Sequence, residues 1–131
     1  MAALADAEVV AFAPSLDLER SRRFYADVLD LEIVEMTSFA CVARGGGTTI
    51  RIARVNDLVP QPFTILGWVV PDIAAIIAEL TARGVKFHRY EGMDQDDGGV
   101  WTTQGGDKIA WFPDPDGNVF SLTEFAVDTT A

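Results

Sequence analysis

The chain has one cysteine, Cys41, among 131 residues. A lone thiol excludes an internal disulfide and fits a reducing compartment, so a cytoplasmic location is expected. No apolar run approaches the roughly 20 residues that a membrane span requires. The start, MAALADAEVV, has no basic segment ahead of an apolar one, and no secretory signal is expected. Basic residues are scarce, 10 against 20 acidic ones, for a net charge of −10. That balance argues against nucleic acid and anionic membrane as partners, because phosphate binding needs a basic face. A cationic or neutral small molecule meets a more favourable field, although the charge also serves solubility alone. The length suits a single domain with a core of its own.

What is present is one pattern written twice. The first copy opens with an alternating strand, EVVAFAPS, followed by Asp17 as a helix N-cap. Its helix, LERSRRFYADVLD, puts Ser21, Phe24, Tyr25 and Val28 on one face. The second copy opens with FTILGWVV and Asp72, and its helix, IAAIIAELTAR, places Ile73, Ile76, Ile77 and Leu80 on one face and stops at Gly84. Three strand-like segments follow each helix. They are LEIVEM, SFACVAR and TTIRIARV in the first copy, and VKFHRY, DKIAWF and NVFSLTEF in the second. Gly47 aligns with Gly117, Arg51 with Ser121, and Cys41 with Trp111. The expected architecture is α+β, with two tandem βαβββ modules at about 8–55 and 63–126 and a linker at about 56–62 within one domain. The second copy carries an extra polar stretch, EGMDQDDGGVWTTQGG.

The stretches LDLERSRRFYADVLDLEI and WFPDPDGNVFSLTEF resemble the vicinal oxygen chelate superfamily, which includes glyoxalase I, bleomycin-resistance proteins, extradiol dioxygenases and fosfomycin-resistance enzymes. The likeness covers roughly residues 8 to 126. It implies a cupped, barrel-like mixed sheet with helices outside and the ligand within. It also implies a homodimer, because in the bleomycin-resistance branch the ligand often lies in a cleft formed by two chains.

In metal-dependent members the resemblance implies ligands on the first and last strands of each module. Carried onto this sequence, those places hold Val10, Arg51, Leu66 and Ser121. None is a histidine or a carboxylate, and the guanidinium of Arg51 repels a cation. A one-residue shift reaches only Val9, Ala11, Ile65, Gly67, Ile50, Ile52, Phe120 and Leu122, none of which offers a side-chain ligand. The sole histidine, His88, sits in VKFHRY, where a surface or edge position suits it better than a metal. The acidic group Glu91, Asp94, Asp96 and Asp97 lacks the spacing of a calcium loop and reads as solvated. The expectation is a fold without metal or other cofactor.

Strand alternation then sorts the residues by face. One lane carries Val10, Phe12, Phe39, Cys41, Thr49, Arg51, Leu66, Trp68, Ile109, Trp111, Val119, Ser121 and Thr123 and is assigned to the cup. The other, with Ile50, Ile52, Val69, Ala110, Phe112, Phe120 and Leu122, is assigned to the helices. An apolar concavity with sparse polar points is how small-molecule sites are built. The candidate ligand-binding residues are therefore Phe12, Phe39, Arg51, Trp68, Trp111 and Ser121, with Trp101 closing the mouth. Arg51 needs a partner, which could be a ligand anion, Glu124 or water. Cys41 reads as an inert thiol.

Apart from a purely structural or regulatory domain, whose cup its own side chains would fill, two classes of function remain open at this stage. One is a metal-free protein that binds or sequesters a hydrophobic or aromatic small molecule. The other is an enzyme: a metal-independent isomerase, epimerase or cyclase using Tyr25, Arg51 or Glu124, or else a metal-dependent lyase or dioxygenase.

Overall fold

The computed structural model describes residues 3–127 and divides into two compact units that meet between Leu58 and Val59, inside the expected linker. Each unit is one copy of the repeated pattern, and each holds its own four-stranded mixed sheet. Neither sheet closes on itself.

In the first module, β1 (Val10–Ser15) leads through Asp17 into α1 (Leu18–Arg23), whose chain continues as a π-helical turn over Phe24–Val28. Asp17 caps the helix by accepting from the Arg20 amide at 3.1 Å. Asp30 ends the segment with a positive φ of 59°, which an aspartate tolerates better than most residues. The sheet is completed by β2 (Glu32–Met36), β3 (Ala40–Gly45) and β4 (Thr48–Arg54), in the order β1-β4-β3-β2, with β1 and β4 parallel. Ala13, Ile52 and Cys41 share one face, as do Ile50 and Ala43, and all five are buried. The helical segment buries Leu18, Ser21, Phe24 and Tyr25. A buried hydrogen bond of 2.7 Å between Ser15 Oγ and Ser21 Oγ ties the end of β1 to α1.

The second module repeats the plan with β5 (Thr64–Val69), α2 (Ile73–Ala82), β6 (Trp101–Thr102), β7 (Lys108–Pro113) and β8 (Val119–Glu124), ordered β5-β8-β7-β6. Asp72 caps α2 through the Ala75 amide, and Gly84 follows the helix with a φ of 96°. The buried face of the sheet carries Ala110, Phe112, Phe120 and Leu122, with α2 against β8.

One expected strand is absent. Residues 85–90 run without regular structure, and His88 alone joins β7, its backbone N–H donating a hydrogen bond of 2.8 Å to the Trp111 carbonyl. The outer edge of β7 is taken instead by β6, which comes from the polar insert, with Trp101 opposite Ile109. The insert holds itself in that place. The Gln95 amide accepts from the Tyr90 N–H and donates to the His88 and Gly99 carbonyls, at 2.7, 3.0 and 2.8 Å. The Arg89 guanidinium donates to the carbonyls of Gln95 and Asp96.

Candidate functional site

The turn Asp114–Asn118 sets the start of β8 and hence the placement of everything on it. The Asp114 carboxylate accepts from the amides of Asp116 and Asn118 and from Asn118 Nδ2, at 2.8–2.9 Å. Gly117 adopts a φ of 87°, which glycine enters without strain. Burial pushes the Asp114 carboxyl up, against the opposing pull of the Asn118 hydrogen bonds.

Beyond this turn, the register of β8 gives the second sheet an open face. Gly67, Ser121 and Trp111 form one row across β5, β8 and β7. The next row is Val69, Thr123, Ile109 and Trp101. The indoles of Trp101 and Trp111 lie 6.4 Å apart at 32°, and Tyr90 meets Trp111 edge to face at 5.5 Å. Trp111, Tyr90 and Met93, together with Pro62, Phe63, Thr64 and Val119, line a recess of about 240 Å³. Burial pushes the Tyr90 phenol up, so it stays a neutral hydrogen-bonding group at physiological pH.

Trp68 lies elsewhere. It pairs with Leu122 and Ala110 and packs on Phe112 at 6.3 Å and Phe120 at 5.6 Å, among the residues of the buried face. Leu66 is on that side too, and Val69, expected there, is on the open face. A bulge between Thr64 and Leu66 shifts the β5–β8 register, and a one-residue slip moves every later side chain to the other face. Trp101 belongs to an edge strand, its indole tilted against that of Trp111.

In the first module the open face carries Val10 and Phe12 on β1, Thr49 and Arg51 on β4, and Val42 on β3. Phe12 and Arg51 are direct neighbours across the parallel pair, and Phe12 is 62% exposed. Phe39 stands just before β3, its amide donating to Thr37 Oγ1, with 77% of its surface exposed. Cys41 faces away from this group, opposite Ile52, and burial pushes its thiol up. Among the described residues of the module no carboxylate pairs with Arg51. Glu124 is already engaged: it accepts the Ile73 amide at 2.9 Å, at the start of α2, and its other oxygen is 3.8 Å from Lys108 Nζ.

Of the residues singled out from the sequence, then, Trp101, Trp111 and Ser121 share one open face and Phe12 and Arg51 share another. Trp68 joins a core, and Phe39 stands apart. Gly67 and Tyr90 escaped the sequence reading. Gly67 could have been found from the period-2 pattern only with the bulge known. Tyr90 lies in the stretch misread as a strand.

The family model of the Glyoxalase/Bleomycin resistance protein/Dioxygenase superfamily matches residues 10–122. The chain belongs to this superfamily. Solved structures agree with the assignment. A glyoxalase family protein from Bacillus anthracis aligns with a TM-score of 0.74 at 16% identity, over 96% of this chain and 100% of that one. The bleomycin resistance determinant encoded on the transposon Tn5 aligns at 0.72 and 17%, over 92% and 98%. A superfamily member from Sphaerobacter thermophilus aligns at 0.68 and 23%, over 89% and 95%. At these identities the likeness is one of fold. No curated protein matches the sequence.

The metal positions implied by membership in the superfamily can now be tested against the residues that occupy them. Val10 and Arg51 lie on the open face of the first sheet, Ser121 on that of the second, and Leu66 on the buried side. Two aliphatic chains, a guanidinium and a hydroxyl do not make a donor set for a divalent cation, so these residues do not fit a metal. Among the described residues no three His, Cys, Asp or Glu side chains gather into an alternative site. In the acidic loop, Asp96 Oδ1 is turned onto the amides of Gly98 and Val100, at 2.9 and 2.8 Å.

Proposed function

We propose that this superfamily member binds or sequesters a hydrophobic or aromatic small molecule without using a metal. The observation that carries the reading is the division of seven of the second module's aromatic rings into two sets. Phe87, Phe112, Phe120 and Trp68 pack on one another. Tyr90, Trp101 and Trp111 are not needed for that core, yet stand together on the open face beside the recess. Flat apolar walls with few polar groups favour a planar ligand.

The same reading treats the two modules as one domain working as a homodimer in the cytoplasm. The exposed Phe12 and Phe39 support a further partner surface on the first module. The enzymatic alternative finds less support. Asp96, Asp114 and Glu124 all spend carboxylate oxygens on backbone amides. No carboxylate stands among the residues lining the recess.

Screening a library of planar aromatic compounds by two-dimensional NMR tests the reading. Binders are expected to shift the indole N–H signals of Trp101 and Trp111 and leave that of Trp68 in place. Trp111→Ala is expected to weaken them by about tenfold or more. A library in which no compound perturbs either indole would sink the proposal.

A further inference from the structure

The row Gly67–Ser121–Trp111 contains a polar group that the fold does not use. Ser121 is only 8% exposed as a residue, yet its hydroxyl takes no hydrogen bond among the described residues and is not one of the fully enclosed polar atoms, so it reaches the surface. Across the strand pair, Gly67 makes the space that the hydroxyl occupies. A Cβ at Gly67 would stand 2.6 Å from Ser121 Oγ and 3.3 Å from the Ser121 carbonyl oxygen. Position 67 is exposed, so the glycine leaves an opening in the sheet surface directly beside the hydroxyl. On the other side of Ser121 stands Trp111, which also borders the aromatic recess.

We propose that Ser121 is the polar anchor of the ligand site and that Gly67 is the notch giving access to it. The ligand class that fits is a planar aromatic carrying a hydroxyl or carbonyl oxygen on its ring. Its ring lies against Trp111, and its oxygen exchanges a hydrogen bond with Ser121 Oγ, which can donate or accept. This inference rests on the aromatic face binding a ligand and adds the functional group that the ligand must carry. It also names two residues that set selectivity. Ser121 selects for the oxygen, and Gly67 sets the depth to which it can reach.

The test uses 2-naphthol and naphthalene as matched probes, titrated by NMR into the intact protein and into Ser121→Ala, Gly67→Ala and Trp111→Ala. In the unmodified protein 2-naphthol is expected to bind about tenfold more tightly than naphthalene, the worth of one good hydrogen bond. Ser121→Ala should erase that preference and leave naphthalene binding unchanged. It should also leave Tm within about 2 °C of the unmodified protein, since no hydrogen bond of the fold is lost. Gly67→Ala should weaken 2-naphthol more than naphthalene, and Trp111→Ala should weaken both. If both probes bind equally well and Ser121→Ala changes neither, the anchor is overturned while the aromatic face stands. If neither probe binds, the aromatic-face reading falls and the anchor falls with it. A drop in Tm for Ser121→Ala together with an unchanged preference would assign the hydroxyl a structural role and overturn the proposal.

Discussion

Cys41 shows how a single position is decided by its neighbours across the sheet. Sequence alternation set it beside Phe39 and in line with Trp111, yet its partner is Ile52 and its surroundings are Ala13 and Ala43, all buried. An apolar setting disfavours the thiolate, which is why the thiol is pushed up rather than activated. Native protein should therefore react with Ellman's reagent far more slowly than a free thiol, and guanidinium should release one fast equivalent. Rapid stoichiometric reaction of the folded chain would contradict this placement. Glu124 makes the same point for a charge. It reads as a possible partner for Arg51, but the fold uses it at the N-terminus of α2, where a carboxylate satisfies an amide and meets the favourable end of the helix dipole.

At the scale of elements, the Asp114–Asn118 turn concentrates several dependencies in five residues. Its carboxylate serves three donors while lying in a buried place. Because burial raises its pKa, the folded state holds this proton more tightly than the unfolded chain does. The associated stability is complete below the ordinary aspartate range and is lost as pH rises through the raised value. Asp114→Asn should remove that fall, so its stability curve should slope down less than the wild type over the same acidic window. Denaturant titrations across that range give the comparison, and parallel curves would show that the carboxyl does not titrate there. The α2 cap, the β5 and β7 strands and both turn glycines were all legible in the sequence because each depends on local chemistry. The edge strand β6 was not. Residues 85–90 carry a strand-like composition, but the insert, braced by Gln95 and Arg89, occupies the same edge of β7. Composition does not report such a competition.

For the molecule as a whole, the repeat supplies independent reporters. All three tryptophans lie in the second module, and the sole cysteine lies in the first. If the modules act as one domain, tryptophan fluorescence and Cys41 accessibility should follow a single denaturant curve. Two separated midpoints would make them independently folding units. No described helix is long and apolar enough to cross a membrane.

By itself the sequence determined the repeat, the α+β class, the helix caps, the turn glycines and the poor fit of Val10, Arg51, Leu66 and Ser121 to a metal. These follow from residue type and from interactions spanning a few positions. Only the tertiary structure decided which face each strand presents, because the β5 bulge reverses the alternation that Trp68 and Gly67 would otherwise obey. That reversal sends Trp68 to the core and brings Gly67 beside Ser121. A bulge is a property of two paired strands, and no single strand's sequence records it.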